Sequence, residues 1–131
     1  MKYLLDTDTI IYFLNKNSSV KARMEKESLK NISISIITLF ELYFGAYNSH
    51  RIEENIKTIN RLRKVIHIFQ INDSILNSFG KTKTFLKKAG ELIGDFDLVI
   101  ATTALAHDLT LITNNVSHFQ RIPSLRIENW L

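Results

Sequence analysis

Short apolar segments alternate along the chain with longer stretches whose apolar residues recur at helical spacing. The short segments predict β-strands, and they cover residues 2–6, 31–36, 65–71, 109–113 and 125–130. The longer stretches predict helices, and they cover residues 10–14, 19–28, 38–47, 52–64, 74–88 and 95–107. Strands that alternate with helices predict a mainly parallel sheet with helices on both faces. In such sheets ligands bind where the carboxyl ends of the strands meet the N-termini of the following helices.

The chain of 131 residues shows no repeat, low-complexity tract or linker, and its four Gly and one Pro are too few to mark a boundary. We therefore predict a single domain over residues 1–131. With 45% hydrophobic and 23% charged residues, the composition is that of a globular protein. The chain contains no Cys, which excludes disulfides, thiolate zinc sites and cysteine nucleophiles.

The expected location is the cytoplasm, without membrane association. No apolar run approaches the roughly 18 residues that a membrane-spanning helix needs. The N-terminal segment meets an acidic residue, Asp6, too early to form the core of a signal peptide.

The net charge of +4 is unevenly distributed. Between Arg51 and Lys88 there are nine basic and three acidic residues, which makes this segment +6 and the remainder −2. Such a segment suggests a polyanionic partner, nucleic acid first. The alternative is a pair of solvated helical faces, and charge alone does not decide between the two interpretations.

Three acidic residues lie where a solvated carboxylate is not expected. Asp6 ends an apolar strand, where it is either a functional residue or the N-cap of the following helix. Glu41 has only Ile37, Thr38, Phe44 and Gly45 as helical neighbours, so no cation shares its face. Asp97 is followed at helical spacing by Ile100 and Ala101. A salt bridge to a distant cation is the structural alternative for Glu41, but three inward acids could also bind one Mg²⁺ or Mn²⁺ ion.

Other chemically interesting residues have simpler interpretations. Asp95 is the expected N-cap of the helix that carries Asp97, Asp73 is an expected cap, and Asp108 is an expected turn residue. The four histidines show no H-x-x-x-H spacing, and we expect them at the surface or its boundary: His50, His67, His107 and His118. No phosphate-binding glycine loop and no G-x-S-x-G motif is present.

Four motifs, in this order, resemble the PIN domain and, more narrowly, VapC-type toxins of bacterial or archaeal toxin–antitoxin pairs. They are LLDTD at residues 4–8, ISIITLFEL at 34–42, IGDFDLVIA at 93–101 and LITNN at 111–115. The closing RIENWL at 126–131 fits the same family. The resemblance covers the whole chain.

The resemblance implies a three-layer α/β/α sandwich and a Mg²⁺-dependent endoribonuclease, with Mn²⁺ as a possible substitute. Asp6, Glu41 and Asp97 fall on the family's acidic positions. Asp6 and Asp97 would hold the ion directly, Glu41 would be a further or water-mediated ligand, and Glu41 or Asp95 could accept the proton of the attacking water. Asn115, two residues after Thr113, stands where the wider family has a fourth acid.

That replacement makes a second metal ion less expected, although Asp8 and Asp95 could supply additional negative charge. Asp8, Thr113 and Asn115 are the auxiliary candidates. Without paired histidines, attack by the RNA 2′-hydroxyl is not expected, and the metal–water route predicts 5′-phosphate and 3′-hydroxyl ends.

The partners that the resemblance implies are an RNA substrate, a cognate VapB-type antitoxin that holds the enzyme inactive, and a second copy of the chain. The segment 51–64 and the apolar first helix (residues 10–13) offer surfaces for the antitoxin, and a homodimer could enter a larger assembly. Two alternatives remain: a housekeeping PIN nuclease of RNA maturation, or a nucleic-acid-binding regulator that has lost catalysis. Transfer RNA and ribosomal RNA loops both remain open as substrates.

Overall fold

The computed structural model describes all 131 residues and contains one five-stranded parallel sheet. Its strands are β1 (Tyr3–Leu5), β2 (Ile32–Ser35), β3 (His67–Phe69), β4 (Thr110–Ile112) and β5 (Ile127–Glu128). They lie in the order β3-β2-β1-β4-β5, and every neighbouring pair is parallel. The chain thus runs outward from β1 to β3 and then returns to the other side of β1. This reversal places a crevice at the carboxyl ends of β1 and β4.

Seven helices connect the strands. They are α1 (Thr7–Leu14), α2 (Ser18–Glu27), α3 (Ile36–Tyr47), α4 (Ile52–Val65), α5 (Asp73–Ala89), α6 (Asp95–Ala106) and α7 (Val116–Phe119). A single 3₁₀ turn at Leu29–Asn31 precedes β2. No helix of the chain is long and apolar enough to cross a membrane.

The helices cover both faces of the sheet, because successive residues of each strand point in opposite directions. Tyr3 and Leu5 belong to a buried cluster that also contains residues of α1, α2, α3 and α4. Leu4, between them in sequence, belongs to a second cluster built mainly from α6 with contributions from α5 and α7. The predicted α/β fold with a parallel sheet between helical layers is therefore confirmed.

The boundaries differ from the predicted ones where small polar side chains cap helices. Ser35 accepts a hydrogen bond from the Ile37 N–H at 3.0 Å, so α3 begins at Ile36 and not near Thr38. Asn72, and not Asp73, caps α5, because its side-chain oxygen accepts from the Ile75 N–H at 3.0 Å. The prediction for Asp73 was therefore wrong. Asp108 does lie in a turn, with a left-handed φ of 56°.

Candidate functional site

Asp6 lies at the end of β1 in the crevice between β1 and β4. Its backbone N–H donates to the Ile112 carbonyl at 3.0 Å, and its Oδ1 accepts from the Thr9 N–H at 2.9 Å. Asp6 is therefore the N-cap of α1, and its side chain is only 6% exposed. The carboxylate thus combines the cap of α1 with a position at the floor of the crevice.

Glu41 reaches the same region from the second turn of α3, which starts directly after β2. It is half-buried, and its Oε1 lies 2.5 Å from the Thr7 hydroxyl, which donates to it. The same hydroxyl lies 3.1 Å from the Thr38 hydroxyl. No cation pairs with Glu41, so the salt bridge considered as its structural alternative is absent.

Asp97 occupies the first turn of α6, where the free N–H groups of the helix end favour an anion. Its side chain is 43% exposed, and its Oδ2 lies 3.3 Å from Nε2 of His118. The contact lacks the alignment of a good hydrogen bond, since this nitrogen is buried without a hydrogen-bond partner. His118 is the only basic side chain in direct contact with these three acids.

Burial raises the pKa of all three carboxyl groups. Desolvation raises the pKa of Asp6, and hydrogen bonds from Thr113 and Thr9 partly oppose it. Desolvation also raises the pKa of Glu41, with the Thr7 hydrogen bond opposing it and repulsion from Asp97, Asp8 and Asp6 adding to it. For Asp97 desolvation again dominates, opposed by His118. The three carboxylates therefore form one electrostatic cluster in which only Asp97 has a basic neighbour, His118.

Asp8 and Asp95 lie in different places relative to this cluster. Asp8 is exposed, and its charge raises the pKa of Asp6, Glu41 and Asp97 alike. Asp95 was expected to cap α6, but the N-cap is Gly94 and no side chain caps this helix. Asp95 is instead 62% exposed and forms an ion pair with Lys83 at 2.8 Å. Its proposed part in catalysis remains a prediction.

Thr113 and Asn115 follow β4 and therefore lie at the same edge of the sheet. Thr113 is buried, and its hydroxyl accepts from the Asn115 N–H at 3.0 Å. Asn115 is exposed at the start of α7, and its side chain makes no hydrogen bond. The residue of this segment that contacts an acid is His118, one turn into α7.

Sequence reasoning missed His118 because no helix was predicted between β4 and β5. Four residues are too few to show a helical period. A histidine five residues after the buried Thr113, close to the end of a central strand, was the available signal. Of the other histidines, His50 and His67 are exposed and His107 is half-buried, as expected.

Aromatic rings surround an open cavity next to the acids. The cavity, of about 360 Å³, is lined by Thr7, Asp8, Ile11, Phe40, Glu41, Phe44 and Phe96. Phe40, Phe44 and Phe96 are each more than half exposed. A rim of exposed phenylalanines beside carboxylates offers flat surfaces for stacking next to a charged centre.

A second, larger groove runs between α1, α3 and α4. Its volume is about 560 Å³, and it is lined by residues of the first helix and of the segment 51–64 together with Glu41. Both segments predicted to receive an antitoxin therefore lie on one groove that reaches the acids. Arg61 and Glu54 supply opposite charges to its α4 side.

The donor chemistry of the cluster fits a hard divalent cation. Its side chains offer carboxylate oxygens, and desolvation raises the pKa of each, so a bound cation would favour their charged form. As placed, however, no three carboxylate or imidazole side chains are arranged as the ligand set of one ion. Mg²⁺ commonly keeps several waters and uses only one or two carboxylates, so such a set is not required.

Comparison with known proteins identifies the family. The PIN domain model matches residues 3–125. Ribonuclease VapC1 of Haemophilus influenzae (strain R2866) is 38% identical over 99% of this chain and 98% of its own length. The chain belongs to the VapC family of PIN-domain proteins.

Two further VapC relatives span the full chain. The tRNA(fMet)-specific endonuclease VapC of Shigella flexneri is 33% identical over 99% of this chain and 98% of its own length. The solved structure of VapBC2 from Rickettsia felis, bound to a DNA fragment from its promoter, superposes with a TM-score of 0.92. It is 34% identical and covers 100% of both chains. The resemblance drawn from the four motifs is confirmed.

Proposed function

We propose that this VapC-family chain is the toxin of a type II toxin–antitoxin pair, a metal-dependent endoribonuclease that hydrolyses phosphodiester bonds of tRNA or rRNA. The observation that carries the proposal is the convergence of Asp6, Glu41 and Asp97 at one edge of the sheet, where none of them pairs with a Lys or Arg and only Asp97 meets a histidine. Such a cluster is costly unless a cation binds it, so its presence favours a metal site over a purely structural arrangement.

The reaction that suits this donor set is attack of water on phosphorus. A bound Mg²⁺, or Mn²⁺ in its place, would lower the pKa of a coordinated water and offset charge on the phosphate. Asp6, directly after β1, and Asp97, in the first turn of α6, would hold the ion. Glu41 would bind further out and accept the proton of the attacking water, and its raised pKa suits a group that takes up protons. The Thr7 hydroxyl would orient Glu41 for this step.

An unpaired RNA loop suits the surface around the acids. Single-stranded bases stack on exposed aromatic rings, and Phe40, Phe44 and Phe96 line the cavity that contains Glu41 and Asp8. The name of the Shigella flexneri relative, a tRNA(fMet)-specific endonuclease, supports a tRNA substrate. Ribosomal RNA loops remain the other substrate class.

The proposed partners are a VapB-type antitoxin and a second copy of the chain. The Rickettsia felis structure is of a VapBC pair, which supports an antitoxin partner here. Glu41 lines the groove between α1, α3 and α4, so an antitoxin segment lying in it would cover this carboxylate. Equilibrium sedimentation should show a homodimer; only monomer at micromolar concentration would contradict that part of the proposal.

Induced expression with measurement of growth and RNA ends tests the activity. The wild type should arrest growth and leave RNA fragments with 5′-phosphate and 3′-hydroxyl ends. Asp6→Ala and Asp97→Ala should do neither, whereas the matched surface variant Asp73→Ala should behave as the wild type. Coexpression of a small antitoxin encoded beside the toxin gene should restore growth.

Several outcomes would reject the proposal. Cleavage that persists in excess EDTA, or that leaves cyclic phosphates, would exclude the metal–water route. Equal toxicity of Asp97→Ala and wild type would exclude the nuclease and favour a nucleic-acid-binding regulator. Accumulation of RNA precursors in a deletion strain, without toxicity on induction, would instead identify a housekeeping nuclease.

A further inference from the structure

We propose that His118 is a nitrogen ligand of the metal ion at this site, and that the chain consequently prefers first-row transition ions such as Mn²⁺ to Mg²⁺. The inference rests on the metal site of the proposed function and adds to it the residue that sets ion preference. Neither the four motifs nor the names of the relatives assign a part to this histidine.

The first argument is the separation of two donor atoms. Nε2 of His118 and Oδ2 of Asp97 are 3.3 Å apart. Two ligands that bind one octahedral ion at right angles, with bonds of about 2.1 Å, lie about 3.0 Å from each other. The pair is therefore spaced much as two adjacent ligands of one ion would be.

The second argument is the state of the imidazole nitrogen. Nε2 is buried, and despite the short distance to Asp97 it takes part in no well-aligned hydrogen bond. A buried polar atom without a partner is unfavourable, and a bound ion is one arrangement that would satisfy it. A simple ion pair would have been expected to align the N–H with the carboxylate.

The third argument is that the ring is held in place. It packs edge-on against Phe119, with ring centroids 5.5 Å apart and planes at 90°, and Phe119 is itself buried in the second core cluster. The backbone N–H groups of His118 and Phe119 both donate to the Asn115 carbonyl, at 3.2 and 3.3 Å. The backbone hydrogen bonds and the packing of the ring together hold the imidazole nitrogen beside Asp97.

The choice of donor decides which ion the site prefers. Mg²⁺ is bound in proteins mainly by oxygen, from carboxylates, phosphates and water. An imidazole nitrogen is a softer donor that suits first-row transition ions. A site in which Asp97 and His118 hold the ion should therefore bind Mn²⁺ more tightly than Mg²⁺, while a site of carboxylates alone would discriminate less between the two ions.

Electron spin-echo spectroscopy of bound Mn²⁺ tests the inference without measuring activity. Coordinated imidazole produces a ¹⁴N modulation, which we expect in the wild type and in the exposed-histidine control His50→Gln. The modulation should disappear in His118→Gln. Calorimetric titration should show that His118→Gln loses roughly tenfold or more in Mn²⁺ affinity, the range seen for altered metal-site residues. Mg²⁺ affinity should change less, and His118→Glu should narrow the preference between the two ions.

The outcomes separate this inference from the proposed function. If Mn²⁺ binds with no ¹⁴N modulation, or with the same modulation in His118→Gln, His118 is not a ligand although the metal site stands. If Asp97→Asn and wild type both fail to bind Mn²⁺ while circular dichroism shows folded protein, the metal site itself is rejected. Equal loss of Mn²⁺ and Mg²⁺ affinity in His118→Gln would also overturn the ion preference.

Discussion

Asp6 serves the fold and the proposed chemistry with different atoms of one carboxylate. One oxygen caps α1, while burial at the end of β1 makes the negative charge unfavourable. Asparagine keeps the cap hydrogen bond, because it caps helices as well as aspartate does, and it removes the unfavourable buried charge. Asp6→Asn therefore isolates the cost of the charge from the benefit of the cap.

We expect Asp6→Asn to stabilise the protein at neutral pH in EDTA. Because the folded pKa of Asp6 lies above its unfolded value, the native state binds the extra proton. This contribution to stability is complete below the unfolded pKa of about 3.9 and is lost as pH rises through the raised folded value. In urea unfolding, the free energy of unfolding of the wild type should thus fall as pH rises over this window. The fall should be smaller in Asp6→Asn.

The exposed aspartate variant Asp73→Asn is the matched control for this measurement, and it should track the wild type. Addition of Mn²⁺ should raise the urea concentration at the midpoint of unfolding for the wild type, because a ligand stabilises only the state that binds it. The midpoint of Asp6→Asn should stay nearly unchanged. A less stable Asp6→Asn protein in EDTA at pH 7 would contradict the argument that burial of charge dominates at this residue.

Thr7 should act as a positioning residue for Glu41. Its hydroxyl is the only hydrogen-bond donor to this carboxylate, so Thr7→Val leaves Glu41 without an orienting partner. Loss of such supporting hydrogen bonds typically costs 10- to 100-fold in metal affinity or activity. We expect kcat/KM for RNA cleavage to fall by about that factor in Thr7→Val and to recover in Thr7→Ser. Equal activity of the valine and wild-type proteins would reject this role.

At the scale of elements, the two-residue strand β5 supports the segment that carries His118. The Leu111 N–H of β4 donates to the Arg126 carbonyl just ahead of β5, and the Thr113 N–H just after β4 donates to the Glu128 carbonyl of β5. Trp130, two residues further on, is buried and meets Tyr3 edge-on, with ring centroids 5.1 Å apart. The Ser19 hydroxyl donates to its carbonyl at 2.6 Å. The C-terminal end is therefore fixed to both β1 and α2.

Trp130→Ala should consequently be among the more destabilising substitutions. Removal of a buried tryptophan costs about 3–5 kcal/mol, since it leaves a cavity and, here, an unpacked Tyr3 and Arg23. Urea denaturation should report that loss in the free energy of unfolding, and Trp130→Phe should lose less because it keeps an aromatic ring. A change below about 1 kcal/mol would show that β5 is not anchored through this residue.

The sequence allowed prediction of the elements whose patterns are long enough to read. All five strands and six of the seven helices follow from hydrophobic periodicity, with boundary errors of at most three residues. The four-residue α7 has no readable period, so His118 was missed. Asp6, Glu41 and Asp97 could be selected because each lies in an apolar segment. The ion pair between Asp95 and Lys83 could not be predicted, since only the packing of α5 on α6 brings the two residues together.

At the scale of the whole molecule, the basic segment between Arg51 and Lys88 is not one surface. Helix α4 packs its apolar side into the core cluster on one face of the sheet, and α5 packs into the cluster on the other face. The charge that is contiguous in sequence is therefore divided into two helices that flank the acids. Arg61 of α4 lines the groove that contains Glu41, and Lys83 of α5 pairs with Asp95 near Asp97.

This division predicts that both helices contribute to RNA binding and that a distant cation does not. In an Asp6→Asn background, which prevents cleavage, Arg61→Gln and Lys83→Gln should each weaken binding of an RNA loop. Each should make the slope of log K against log salt less negative by about 0.7, which is the contribution of one contact with a single strand. Arg126→Gln is the matched control: Arg126 pairs with Asp108 ahead of β4, at the opposite edge of the sheet.

Fluorescence anisotropy between about 50 and 200 mM salt would measure these slopes. If only Lys83→Gln lowers the slope, RNA lies along α5 alone and the groove beside α4 is left to a protein partner. If Arg126→Gln lowers it as much as the other two, the attraction comes from the net charge of +4 and not from helices placed beside the acids. Unchanged slopes in both helix variants, with affinity intact, would mean that the basic residues are solvated faces and that the carboxylate cluster, with its ion, binds the phosphate unaided.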